Sequence, residues 1–143
     1  MRISRYINNF CHIPIIEKQL LMRGFFISVF VYVIVKFLPL KYYYSLLQKK
    51  PNFALHFDKE GIALKLTKKT IYRLEKICPF VNNCLIKSIV LKLLLTSLGV
   101  NSNIAFGLLR FEQYGFEAHA YIKIDNRIVF LKNNKFNEIF TIV

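Results

Sequence analysis

Acidic residues are scarce in this chain: 8 aspartates and glutamates stand against 21 lysines and arginines among 143 residues, a formal charge of +13. Such a balance is far from that of an ordinary soluble enzyme and favours acidic partners or anionic surfaces. The lysines are scattered, however, and no nucleic-acid reader motif appears, so a nucleic-acid partner is not expected. Cysteine is sparse as well. Cys11, Cys78 and Cys84 leave an odd one, Cys-x-x-Cys is not repeated, and nothing before residue 20 resembles a cleavable signal, all of which fits a reducing cytosol. Histidine and cysteine nowhere recur at metal spacing, so neither a metal nor a cofactor is expected, and His56 reads as a surface histidine. The apolar run Gly24 to Val35 holds twelve uncharged residues between Arg23 and Lys36, too few for the ~20 that a bilayer span needs. At this length one domain with a sizeable core is expected, without staples.

The stretch Asn82 to Gly99, NNCLIKSIVLKLLLTSLG, is the organising feature. Leu85, Ile86, Ile89, Val90, Leu91, Leu93, Leu94, Leu95 and Leu98 cover most of a helix circumference, which predicts a helix buried on nearly all sides. Asn82 or Asn83 can cap its start, and Gly99 can take the left-handed residue after its end. Cys84 then falls in the first turn, where unpaired N–H groups and the helix dipole favour a thiolate and offer donors to an oxyanion. The commoner fate of a free cysteine is that of a small buried hydrophobe.

Before this helix, residues 1–23 read as a mobile or weakly helical arm with Arg2, Arg5, Lys18 and Arg23. Gly24 to Val35 reads as a helix packed on the core or, alternatively, as one lying in a membrane interface beside Lys36 and Lys41, with Tyr42, Tyr43 and Tyr44 nearby. Gln48 to Gly61 reads as a loop, because Pro51, Asn52, Asp58 and Gly61 all break regular structure. From Ile62 to Ile77 an amphipathic helix is expected, with Leu64, Leu66, Ile71, Leu74 and Ile77 inward and Lys65, Lys68, Lys69, Arg73 and Lys76 outward. Pro79 ends it; a Cys78–Cys84 disulfide is compatible with the spacing but would consume the thiol in a compartment that discourages it.

After Gly99 the pattern becomes extended. Ser102 to Arg110, Phe116 to Ile124 and Arg127 to Leu131 are three strand candidates, the last two joined by the two-residue turn Asp125-Asn126, a hairpin signal. The fold class is therefore α+β, a small antiparallel meander packed on the buried helix, with residues 1–61 as a helical arm and loop and residues 62–143 as the core. In the second strand His119, Tyr121 and Lys123 share one face, while Ala118 and Ala120 leave room around the imidazole. A lone strand histidine is usually just lodged on a sheet. A helix-start cysteine followed by a mid-strand histidine is, however, the order that a cysteine/histidine nucleophilic site needs.

Pro79 through Cys84-Leu85, the leucine-rich helix, Gly99, the strand to Gly107, and then Ala118-His119-Ala120-Tyr121 together resemble the C-terminal part of the lasso-peptide leader peptidases. These belong to the transglutaminase-like, papain-related superfamily. The resemblance is strongest over residues 78–131, and Phe37-Leu38-Pro39-Leu40 with its lead-in is similar to the N-terminal part of the stand-alone protease form. It implies a cysteine peptidase that cuts the leader from a ribosomally made precursor peptide, with Cys84 as nucleophile and His119 as base. It also implies three partners: the precursor, a separate leader-binding protein that presents it, and an ATP-dependent lasso cyclase that takes the freed core. The family carries an aspartate at the end of the strand after the histidine, where this chain has Phe130-Leu131-Lys132-Asn133-Asn134. Asn133 is the preferred orienter of the imidazole, Asp125 the second option, and an incomplete triad the third. Tyr121 stands where the family has tryptophan.

Two other classes compete with this one. A non-catalytic scaffold would keep the fold and its partner surface, and the missing aspartate favours it. A basic membrane- or nucleic-acid-associated protein, attached at the inner membrane surface in the first case, would account directly for the charge.

Overall fold

The computed structural model describes residues 14–48, 50–51, 57–111, 115–129 and 137–142. Helix α1 spans Ile15–Phe37, α2 Leu40–Leu47, α3 Phe57–Ile77 and α4 Cys84–Ser97, with a short 3-10 turn at Pro79–Asn82. The strands are β1 Asn103–Phe111, β2 Gly115–Ile124, β3 Arg127–Val129 and β4 Asn137–Ile142, in the sheet order β3-β2-β1-β4 with every neighbouring pair antiparallel. The α+β class expected from the sequence is the one observed.

The centre of the molecule is α4. Ile86, Ile89, Val90, Leu91, Leu94 and Leu95 are buried, and so are Ser88 and Lys92. Helix α1 and the sheet both pack against α4, so no wide polar face remains on it. Its start is capped by Asn83, whose side-chain oxygen accepts the N–H groups of Leu85 at 3.0 Å and Ile86 at 3.4 Å. At the other end Gly99 has φ 81°, and the Val100 N–H returns to the Leu95 carbonyl at 2.9 Å, which closes the helix with a left-handed glycine.

Helix α1 differs from the expected arm and short apolar helix. It is one continuous element of 23 residues that starts at Ile15, crosses Gly24 and ends before Pro39, with Leu38 in the extended conformation a pre-proline residue prefers. Its early turns are held by an ion pair that no local pattern reveals: Glu17 lies 2.8 Å from Lys69 and 2.9 Å from Arg73 on α3. These contacts hold the Glu17 carboxyl below its ordinary pKa, the Lys69 hydrogen bond lowering it most. Gly24 permits close packing, since a Cβ there would sit 2.8 Å from Leu74 Cδ1.

Helix α3 begins at Phe57, so the expected loop is shorter than Gln48 to Gly61. Gly61 lies inside the helix, where a Cβ would meet open space. Ile71 and Leu74 are buried as expected and Lys65, Lys68, Lys69 and Lys76 are outward, but Ile77 is exposed. His56 and Cys11 lie outside the described residues.

In the sheet, Ile104 pairs with Ile122 on one side and Ile142 on the other, and Ile122 pairs with Val129. This buried row faces the helical core. Asp125 and Asn126 both take positive φ, 46° and 63°, as the expected hairpin turn requires. The fourth strand, β4, was not expected. It adds to the free side of β1, so the sheet is more than a three-stranded meander.

Candidate active site

Cys84 is the first residue of α4 and half-buried. Counting along the helix, Cys84, Lys87, Ser88 and Leu91 fall at steps of three and four residues, hence on one face. That face and the β2 segment His119-Ala120-Tyr121-Ile122 line a cleft of about 90 Å3, with Asn82 at its edge. Cys84 and His119 therefore both border the same small space, from different elements.

One hydrogen bond ties those elements at this point. The Ser88 hydroxyl, one helical turn after Cys84, donates to the Ala120 carbonyl, next to His119, at 3.0 Å within the buried interior. Across the ladder, His119 is in register with Gly107 of β1. Paired residues of an antiparallel ladder point to the same face, so glycine at this position places no side chain beside the imidazole.

The helix start is already partly used. The Leu85 and Ile86 N–H groups go to the Asn83 side chain and the Lys87 N–H to the Asn83 carbonyl. The capping bonds take up the Leu85 and Ile86 donors, so this helix start offers an incoming oxygen fewer N–H groups than an uncapped one would. Lys87, on the cleft wall, is ion-paired with Glu75 of α3.

The two described cysteines differ. Both are free thiols, so the Cys78–Cys84 disulfide is not formed. Cys78 is buried in the core and burial pushes its thiol pKa up, which makes it a poor nucleophile.

The residues considered for the third position are not gathered at the cleft. Asp125 sits exposed at the tip of the β2–β3 hairpin. Six residues of extended chain, roughly 20 Å, separate it from His119, so it cannot orient that imidazole. Asn133, with the whole stretch Phe130 to Lys135, lies outside the described residues. Among the described residues no three histidine, cysteine, aspartate or glutamate side chains converge as metal ligands. Ser88 and Gly107 were missed by sequence reasoning, because their roles depend on helix–strand contact and strand register; the i+4 spacing of Ser88 from Cys84 was the one signal available.

A family model described as the transglutaminase-like superfamily matches residues 58–141. The matched region runs from α3 through the cysteine helix and across the sheet. No curated protein and no solved structure matches the chain.

Proposed function

Because the chain belongs to the transglutaminase-like superfamily, whose typical members are cysteine proteases or acyl-transfer enzymes, we propose that it is a cysteine peptidase that removes the leader from a ribosomally made lasso-peptide precursor. The observation that carries the chemistry is the shared cleft: Cys84 at a capped helix start and His119 on β2 line it together. The finer assignment, leader removal, is supported by the sequence resemblance over residues 78–131.

In this mechanism His119 takes the Cys84 proton, and the thiolate attacks the scissile carbonyl. The Cys84 N–H stabilises the oxyanion that forms. The carbon–nitrogen bond breaks, the His119 imidazolium gives its proton to the leaving amine, and a thioester remains on Cys84. His119 then removes a proton from water as the water attacks the thioester, and the thiol is regenerated with release of the acid. In this reading, following the same resemblance, a separate leader-binding protein presents the precursor and an ATP-dependent lasso cyclase takes the freed core. Asn133 is assigned to orient the His119 imidazole. The setting is a reducing cytosol, which keeps Cys84 free.

The stretch Phe130 to Asn134 contains no acid, and this favours a second reading, a catalytically silent scaffold that binds the same partners. Incubating the protein with the small precursor and the leader-binding protein encoded beside it, and following leader release by mass, decides between them. Release that is lost in Cys84→Ala and in His119→Ala supports the peptidase. Complex formation without release supports the scaffold.

A further inference from the structure

The buried and exposed sides of α1 are both apolar, for different reasons. Leu20, Leu21, Gly24, Ser28 and Val31 pack inward. On the opposite side Ile15, Met22, Phe26, Phe30, Val33 and Phe37 are exposed, with Ile15 at 73%, Phe26 at 64%, Phe30 at 56% and Phe37 at 73%. At 100° per residue these six fall within a narrow stripe that runs the length of the helix, about 35 Å. A contiguous apolar stripe of this size marks an interaction surface rather than ordinary exposed side chains.

Charge identifies the occupant. By the same helical geometry Arg23 flanks the stripe on one side and Lys18 and Lys36 on the other. Around its C-terminal end, Lys36 lies over the rings of Tyr32 and Phe37 and Lys41 over that of Tyr42, an aromatic and cationic cluster of the kind that sits at lipid headgroups. The one acid within residues 14–48 is Glu17, and it is held by Lys69 and Arg73. A second copy of this face would bring cations against cations, with no acid to pair them. An anionic bilayer surface meets both the stripe and its flanks.

By length and composition α1 is able to cross a membrane. Crossing would pull its inner face away from α3 and α4 and break the Glu17 pairs, whereas lying flat keeps those contacts and wets only the polar flanks. We infer that the outer stripe of α1 is a docking surface for anionic lipid, on which the protein rests with α1 parallel to the membrane plane.

The chain has no tryptophan, so Phe30→Trp introduces a single reporter in mid-stripe. With vesicles of equal parts phosphatidylglycerol and phosphatidylcholine, its emission should shift to the blue. Binding to phosphatidylcholine alone should be weaker by roughly tenfold or more. Bromines placed shallow on the lipid chains should quench the indole more than bromines placed deep. Phe26→Ser combined with Phe30→Ser, exposed changes whose folding is checked by circular dichroism, should weaken co-sedimentation with the anionic vesicles by at least roughly tenfold. Four results overturn the inference. Emission that is already blue in buffer and depends on protein concentration assigns the stripe to a second copy. Emission that is blue in buffer at every concentration assigns it to the rest of the chain. Stronger quenching by deep bromines means that α1 spans the bilayer, and no shift with either vesicle means that lipid is not the partner.

Discussion

Ser88 donates its hydroxyl hydrogen to the carbonyl of Ala120 at 3.0 Å, and this bond registers the first turn of the cysteine helix against the histidine strand. Ser88 is one turn from Cys84, and Ala120 is the residue after His119. Replacing Ser88 by alanine removes the donor and leaves a buried carbonyl without it, a loss of about 1 kcal/mol in stability. The larger effect is expected on turnover, since helix and strand can then shift relative to one another and small misplacements at a reacting centre are costly. Ser88→Ala should lower kcat about tenfold with KM little changed, and Ser88→Thr, which keeps the hydroxyl, should recover part of the loss. Equal kcat in Ser88→Ala and the parent would show that the bond does not register the site.

Thiol reactivity offers a test that needs no substrate. Cys84 opens on the cleft at a helix start, while Cys78 is 3% exposed with its thiol pushed up by burial. Limited iodoacetamide treatment near neutral pH, read by peptide mass, should alkylate Cys84 at least roughly tenfold faster than Cys78. Comparable rates would remove the reason for choosing Cys84.

The interior of α4 holds a charge that the chemistry does not use. Lys92 is fully buried, its ammonium donates to the Ser102 carbonyl, and its pKa is lowered from 10.5 to about 8, mainly by burial with a smaller push from the Lys50 charge. Below about pH 8 the lysine is charged in both folded and unfolded chains, and the folded state bears the full cost of burying it, on the order of 3 kcal/mol. Between about 8 and 10.5 the folded state has released the proton and the unfolded state has not, so this contribution makes stability rise with pH. Lys92→Met removes the cost but also the bond to Ser102, leaving a net gain of roughly 2 kcal/mol at pH 7. Urea unfolding of both proteins should show the variant's advantage shrinking as pH rises through that window. An advantage independent of pH would mean that Lys92 is not the group titrating.

Local signals and tertiary ones were unequally legible. Asn83, Gly99 and the apolar residues between them mark α4 because cap, left-handed end and burial all act within one segment, and Asp125-Asn126 marks its hairpin in the same way. Helix α1 is longer than its sequence suggests because Lys18 and Arg23 resemble the features of an arm and Gly24 the start of a separate segment; Glu17 has its partners on α3, 52 and 56 residues away, and Gly24 serves a close contact. Gly61 was read as a breaker, yet one glycine costs a helix only about 1 kcal/mol, which packing elsewhere along α3 outweighs. Strand β4 depends on pairing with β1, a contact without a local signature. At the site, Cys84 and His119 stand out by residue type and position, whereas Gly107 and Ser88 acquire their meaning only from strand register and helix docking.

The third position of the site is where substitution is most informative. An orienting group fixes the imidazole tautomer and supports the imidazolium, and a carboxylate does the second job better than an amide. A cysteine/histidine pair depends on it less than a serine/histidine pair, because a thiol is intrinsically far more acidic than a hydroxyl. A working but slowed enzyme is therefore expected. Asn133→Ala should lower kcat by more than ~10-fold, about 1.4 kcal/mol of transition-state stabilisation, if Asn133 orients His119. Asp125→Ala should leave kcat near the parent value, because the hairpin tip is roughly 20 Å along the strand from the imidazole. Leu131→Asp, which restores an acid in the stretch where the resembled leader peptidases carry one, should raise kcat if the register there matches theirs. If leader release still requires Cys84 and His119 but responds to none of the three changes, the pair works without an orienting residue and Asn133 has no part in the chemistry.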